Sequence, residues 1–247
     1  MKVTVITAVL NGQSSIGATL ASVSSQDYAE IEHIVIDGES TDGTLDIVQA
    51  ERTPNVRAYS AKDNGVYQAF NRGLQVATGD VIVFLNSGDV YTATSTVSAM
   101  IGVLAASGVD AVFGDVAVVD AGRSGRMVRR YSSRKFQPSR MSYGFMPAHP
   151  TLFMRRAVYD MVGSYDDGYR IAGDFEFCLR AFITHRISYR YVPDLVVSMP
   201  TGGLSNRGWR SKWDITVEMR RACRNNGVAT SLPRLCLRLP LKLMEFT

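Results

Sequence analysis

Asp37, Asp63 and Asp89 each stand just past a short apolar run, and each is 26 residues from the next. That interval holds one strand, one helix and two turns, since strands run about five residues and helices about ten. The runs are Val3–Ala8, His33–Ile36, Val56–Ser60 and Val81–Leu85. Between them, Ile16–Ser25 has helical spacing. A helix through Thr44–Ala50 is expected, with Ser40 or Thr41 as its cap and Asp42 near its positive end. Val66, Ala69, Phe70, Gly73, Leu74 and Ala77 recur at i, i+3, i+4, i+7, i+8 and i+11, which marks an amphipathic helix. This alternation predicts βαβ units and an α/β fold with a mostly parallel central sheet flanked by helices. Fully apolar strands would be buried on both faces. Ligands of such sheets bind at the carboxyl ends of strands, where all three aspartates fall.

The second half is less regular. Strands are expected at Asp110–Phe113, Val116–Val119, Met127–Tyr131, Thr151–Met154, Ile187–Val192 and Leu195–Ser198. Met127–Tyr131 would pair back after the Gly-rich turn 120–126. Helices are expected at Arg155–Val162, at Asp174–Thr184 with Phe175, Cys178, Leu179 and Phe182 on one face, and at Trp209–Asn226. No repeat or linker divides the chain. One domain over 1–230 is expected, followed by a tail over 231–247.

The net charge of +4 is unevenly placed. Residues 201–247 hold 9 Lys+Arg and 3 Asp+Glu, which leaves 18 and 20 for residues 1–200. The body is slightly acidic and only the tail is basic, which argues against a nucleic-acid partner. Cys178, Cys223 and Cys236 have neither disulfide-framework nor metal-ligand spacing. No run approaches the roughly 18–20 apolar residues of a membrane span. Met1–Thr7 does not read as a signal peptide, and a cytoplasmic location is expected. There is no Gly-x-Gly-x-x-Gly after the first strand, no Gly-x-x-x-x-Gly-Lys and no Gly-x-Ser-x-Gly, which disfavours dehydrogenases, P-loop NTPases and α/β-hydrolases.

What remains is the rim of carboxylates. Asp37 and Asp63 are either turn and cap residues or acceptors for a base edge or ribose hydroxyls. Asp89 closes Asn86-Ser87-Gly88-Asp89 after a buried strand. It is either a turn aspartate or a ligand for Mg²⁺ or Mn²⁺ held against a diphosphate, since these ions take oxygen ligands and often only one or two carboxylates.

Four segments then resemble family 2 glycosyltransferases with a GT-A fold. Thr7-Ala8-Val9-Leu10-Asn11-Gly12 resembles the loop after the first strand, and Asp37-Gly38-Glu39-Ser40-Thr41-Asp42-Gly43-Thr44 resembles the D-x-x-S-x-D-x-T signature. Asp63 to Gly73 resembles the D-x-G-x-Y-x-A-x-N-x-G segment of bacterial polysaccharide-type members. Ala77-Thr78-Gly79-Asp80 through Asp89 resembles the turn, strand and metal motif. They stand in the family's order over residues 3–91. The resemblance implies a nucleotide-sugar-binding half over 1–91 and an acceptor-binding half over 92–230. Donor contacts would come from Thr7, Ala8, Asn11, Asp37, Ser40, Asp42, Asp63, Asn64, Asn71, Ser87 and Gly88, with Asp89 on the metal.

In the second half, His149-Pro150-Thr151-Leu152-Phe153 is similar to the family's H-x-x-x-F strand. Ile171 to Arg180 resembles the segment that carries the catalytic base. Many relatives have a Glu-Asp pair there; this chain has Gly173-Asp174, and Asp174 is the implied general base with Glu176 as the alternative acid. His149, Glu176 and Arg180 are the expected acceptor or diphosphate contacts. The implied reaction is inverting transfer from a nucleotide diphosphate sugar to a lipid-linked or envelope glycan. The rivals are a nucleotidyltransferase, whose Gly-rich Arg-containing N-terminal loop is missing, and a catalytically inert glycan- or nucleotide-binding module. Thr201–Asn206 is either a lid or a connector. In Leu232–Phe246, Arg234, Arg238 and Lys242 recur every four residues among leucines. That suits an interfacial segment on an anionic membrane, a helix docked on the core or an oligomer contact.

Overall fold

The computed structural model describes residues 1–51, 53–120, 126–202 and 208–238, with side chains at 208–210 excepted. The lid segment 203–206, the side chain of Trp209 and the tail beyond residue 238 lie outside the described residues.

The first four strands are β1 (Val3–Val9), β2 (Ile31–Asp37), β3 (Val56–Ser60) and β4 (Val81–Phe84). They alternate with α1 (Ile16–Ser24), α2 (Thr44–Ala50) and α3 (Val66–Val76). β1 pairs in parallel with both β2 and β4, and β2 with β3. Strand periodicity sorts the side chains. Ile6, Ile34, Ile82 and Phe84 join one core with Tyr67 and Phe70 of α3. Val3, Val5, Val81, Val83 and Leu85 join another, with Val97, Met100 and Leu104 of α4 (Thr96–Ser107). Both faces of these strands are therefore covered, as their unbroken apolar runs require.

The rest extends the same sheet with both orientations. The remaining strands are β5 (Val90–Tyr91), β6 (Ala111–Val119), β7 (Met127–Tyr131), β8 (Phe153–Arg155) and β9 (Tyr189–Pro200). The order among described residues is β3-β2-β1-β4-β8-β6-β9-β5, with β7 on β6. β8 is antiparallel to both β4 and β6, while β6 and β9 are parallel. β6 and β9 are each continuous where the sequence suggested two pieces. Gly114 explains the apparent gap in β6, because a Cβ there would lie 2.5 Å from Val196 Cγ2. The two strands touch backbone to backbone, and their register shifts on either side of Asp115.

Helices α5 (Arg156–Val162), α6 (Gly173–Leu179), α7 (Gly208–Asn225) and α8 (Leu232–Cys236) complete the chain, α6 continuing into a π-turn at Arg180–Thr184. Residues 149–151, expected to open a strand, form a 3-10 turn ahead of β8. The described part of the tail docks on the body rather than forming an outward basic stripe. Leu235 is fully buried, Arg238 donates to Thr216 Oγ1 (3.0 Å), and Arg234 lies over the Tyr143 ring at 4.1 Å.

Candidate active site

The loops after β1, β2 and β4 meet at one edge of the sheet. Asn11 has a φ of 51°, a left-handed turn that asparagine tolerates. Its backbone N–H donates to Ser40 Oγ (2.8 Å), and its Oδ1 accepts from Thr41 N–H (2.9 Å). Gln13 N–H reaches Asp42 Oδ2 at 3.0 Å, and Asp42 also accepts from the Thr44 hydroxyl. That hydroxyl, followed by the Gln13 amide, holds the half-buried Asp42 carboxyl below its ordinary range. Gly43, not Ser40 or Thr41, occupies the cap of α2, and Asp42 serves the first turn. Asn11, Ser40 and Asp42 thus fasten two loops together.

The loops leave carboxylates with unused capacity. Asp37 is fully buried; its Oδ2 accepts from Ser40 N–H (3.0 Å) and the Ser60 hydroxyl (2.8 Å). Its Oδ1 is buried and has no partner among the described residues. Gly38 makes room for Asp63, whose Oδ2 would lie 3.1 Å from a Cβ at that position, so Asp63 sits against the backbone next to Asp37. Exposed Asn64 follows it, its amide tied to Gln68 Oε1 at 2.8 Å.

The turn after β4 packs against the first loop. Ser87 Oγ meets Ser15 Oγ at 2.8 Å, and a Cβ on Gly12 would come within 2.8 Å of that same Ser87 oxygen. Partly exposed Ala8 accepts from the Ser87 amide. Gly88 has a φ of 96°, the region that favours glycine, and its amide donates to Thr19 Oγ1. Asp89 is only 5 % exposed. Burial pushes its carboxyl up to about 7, the Asn86 backbone amide being the opposing influence. No described side chain donates to it, and the neighbouring Asn86 Oδ1 is also buried and unpartnered. A buried carboxylate beside an orphaned carbonyl oxygen is a fitting donor set for a hard divalent cation. Among the described residues no group of three or more His, Cys, Asp or Glu is placed to hold a metal.

The implied base lies at the start of α6. Asp174 is partly exposed, and its Oδ1 accepts from Phe175 N–H (2.8 Å) and the Tyr67 hydroxyl (3.3 Å). Burial raises its carboxyl above the ordinary range, and nearby His149, Phe175 N–H and Tyr67 pull it back. The one Tyr67 hydroxyl proton is shared between Asp174 Oδ1 and the nearer Ile171 O (2.5 Å). A Cβ at residue 173 would lie 2.7 Å from Tyr67 Cε2, so this ring occupies the space that the first acid of a Glu-Asp pair would need. His149 Nε2 meets the Tyr165 hydroxyl at 2.9 Å, and its ring stacks on Phe70 and Phe84. Burial lowers the His149 pKa, and nearby Asp174 opposes that shift.

Other expected contacts have structural duties. Thr7 is fully buried, donates to Leu85 O (2.7 Å) and meets His33 Nε2 (2.9 Å), so its hydroxyl is committed to the scaffold. Asn71 spends its side-chain amide on Tyr165 N–H and O, both at 2.9 Å. Glu176 is held by Arg180 through Nε at 2.9 Å and Nη2 at 2.8 Å, and by Asn226. Arg180 donates in addition to Val162 O and Ser164 O. That leaves Asp174 as the available acid of the segment. Tyr67 and Tyr165 are additions from the structure. Tyr67 was visible as the Y of its motif, whereas Tyr165 had no sequence signal.

A half-sheet of parallel strands with carboxylates along its carboxyl edge, continued by a half of mixed strand orientation, has the architecture of a GT-A glycosyltransferase. The sequence pattern of Glycosyl transferase family 2 matches residues 4–162, and the chain belongs to that family. It is 33% identical over 210 residues to a PGL/p-HBAD biosynthesis glycosyltransferase of Mycobacterium tuberculosis, covering 82% of this chain and 78% of that one. An uncharacterized M. tuberculosis glycosyltransferase is 32% identical over 183 residues, covering 72% of this chain and 68% of the other. The fold is shared with S. aureus TarS 1–349 in complex with UDP-GlcNAc (TM-score 0.69, 20% identity, 97% of this chain and 72% of that one). It is shared too with the mannosyltransferase PcManGT from Pyrobaculum calidifontis in complex with GDP-Man and Mn²⁺ (TM-score 0.62, 20% identity, 98% of this chain and 80% of that one).

Proposed function

We propose that this chain is an inverting glycosyltransferase that moves a sugar from a nucleoside diphosphate sugar to a hydroxyl of a lipid-linked or cell-envelope glycan, working at the cytoplasmic face of the membrane. One observation carries the reading: on the same sheet edge, Asp37 Oδ1 and Asn86 Oδ1 are buried without a partner among the described residues, and burial raises the Asp89 carboxyl that follows Asn86 in the turn. Buried polar groups are normally satisfied, so these await a ligand. The solved complexes of TarS with UDP-GlcNAc and of PcManGT with GDP-Man and Mn²⁺ support a nucleotide sugar as that ligand.

Asp37 Oδ1 accepts from the base edge or a ribose hydroxyl, with Asp63 beside it. The loop carrying Ala8, Asn11 and Ser40 forms the floor, and Ser87-Gly88 lets the backbone approach the diphosphate. Asp89, with Asn86 Oδ1, would hold Mg²⁺ or Mn²⁺. When bound, such an ion neutralises charge on the diphosphate as a Lewis acid. Asp174 takes the proton from the acceptor hydroxyl as general base. The freed oxygen attacks the anomeric carbon opposite the leaving diphosphate, and this single displacement inverts the configuration. Tyr67 and the Phe175 amide orient Asp174, so the base is in place before the acceptor arrives.

A thermal-shift series with UDP, GDP and TDP, each with and without Mn²⁺, tests this. One nucleotide is expected to raise the melting temperature, more strongly with Mn²⁺, and the Mn²⁺-dependent part is expected to vanish in Asp89→Asn. If no nucleotide stabilises the protein under any condition, the reading fails.

A further inference from the structure

On α7 the residues at i, i+4, i+7 and i+11 from Trp213 are Val217, Arg220 and Arg224, and all four are exposed. At about 100° per residue these positions form one narrow stripe. Trp213 is 55% exposed and Val217 44% exposed, an aromatic and a branched aliphatic side chain on the outer face of a helix whose other faces are mostly polar or packed. The packed face holds Thr216, Met219, Ala222 and Cys223. The acids of α7 lie off the stripe. Glu218 is turned inward, where its carboxylate accepts from the backbone amides of Arg170 (3.0 Å), Ile171 (2.9 Å) and Ala172 (2.8 Å). Asp214 is one residue on from Trp213, a quarter-turn or more around the helix.

We propose that this stripe is the surface by which the protein lies on an anionic lipid bilayer. Trp213 and Val217 would enter the interface, and Arg220 and Arg224 would meet acidic headgroups. Three observations name that occupant. The stripe pairs apolar with cationic residues and holds no acid, the pattern of an interfacial helix. The last 47 residues carry 9 basic and 3 acidic side chains, so their charge complements an anionic surface. Leu237 is 55% exposed on the segment that packs against α7, and past buried Arg238 the sequence reads Leu239-Pro240-Leu241-Lys242-Leu243-Met244-Glu245-Phe246-Thr247. That continuation is rich in leucine and suited to the same interface. The proposal moves the membrane contact from residues 232–238, which the structure docks on the body, to the helix before them. Glu218 also gives it a consequence for chemistry: the helix on the bilayer holds the backbone that precedes Asp174.

The inference does not rest on the transferase reading, because its test needs no donor. The full chain is sedimented with vesicles of phosphatidylcholine mixed with phosphatidylglycerol, and with pure phosphatidylcholine vesicles. Binding is expected on the mixed vesicles only, and is expected to weaken as salt rises. Arg220→Glu/Arg224→Glu, whose surface changes leave the fold intact, is expected to bind more than about ten-fold more weakly. The chain has 2 tryptophans, so Trp209→Phe leaves Trp213 as the only reporter. Its emission is expected to move to the blue on the mixed vesicles. Absence of vesicle binding overturns the proposal. So does binding that survives reversal of both arginines, or that leaves Trp213 emission unchanged. A concentration-dependent blue shift without vesicles would assign the stripe to a second copy of this chain instead.

Discussion

Replacing Asp89 by Asn is expected to stabilise the ligand-free protein above neutral pH while removing its response to metal. Burial moves the Asp89 carboxyl from 3.8 to about 7. The unfolded chain therefore gives up this proton near pH 3.8, and the folded chain keeps it until about pH 7. Below both values the group is neutral in either state and costs nothing. Between them the unfolded state binds fewer protons, so stability falls as pH rises, and above about 7 the loss is complete. A shift of about three units at about 1.4 kcal/mol each is a loss of about 4 kcal/mol at most. About 3 kcal/mol of it falls between pH 5 and 8.5. Asn has nearly the shape of the protonated acid and does not ionise. Urea unfolding of both proteins at those two pH values should show the stability of Asp89→Asn, relative to the native chain, growing by about 3 kcal/mol. Adding Mn²⁺ with a nucleoside diphosphate should restore stability at pH 8.5 to the native chain alone. Parallel pH dependences for the two proteins would refute the claim that Asp89 is a desolvated carboxyl with no side-chain donor.

Three further substitutions probe the supports of the site. Tyr67→Phe removes a donor that favours ionised Asp174, so the acidic limb of kcat/KM should move to higher pH. Gly173→Ala puts a methyl 2.7 Å from the Tyr67 ring; it should cost about 1–3 kcal/mol by chemical denaturation and slow the reaction by displacing Tyr67. Thr7→Val strands Leu85 O and His33 Nε2; it should cost about 1–3 kcal/mol and leave the Kd for a nucleoside diphosphate unchanged, whereas a donor-binding Thr7 would raise it.

The first half was legible because its signals are local and repeat. Apolar runs buried on both faces leave no alternative to a parallel core, and β3 and α2 fall on the expected residues. The second half was less so because its strands are shaped by contacts across the sheet. Gly114 looks like a break until Val196 is seen against it, and the expected strands Ile187–Val192 and Leu195–Ser198 merge into one strand that runs through Pro193-Asp194. At the site, sequence placed the acids on the carboxyl edge of the sheet but could not rank them. Glu176 and Asp174 are equally acidic in sequence; only the fold shows that Arg180 and Asn226 take the first. Thr7 and Asn71 lie in motifs and so read as donor contacts, yet their hydrogen bonds belong to the scaffold. The tail's basic period is real, but a buried Arg238 bonded to Thr216 is a long-range fact that periodicity does not contain.

The account turns on Asp174 as the base that acts after the donor is bound. The most direct test compares the native chain with Asp174→Asn. UDP-GlcNAc and GDP-Man serve as donors and water as the acceptor, and release of UDP or GDP is followed alongside the donor's Kd. Release in the variant should fall by about 10²–10⁴-fold, the usual worth of a general base, while the Kd stays within about two-fold. Native release rates in Asp174→Asn, with the donor bound normally, would contradict the account.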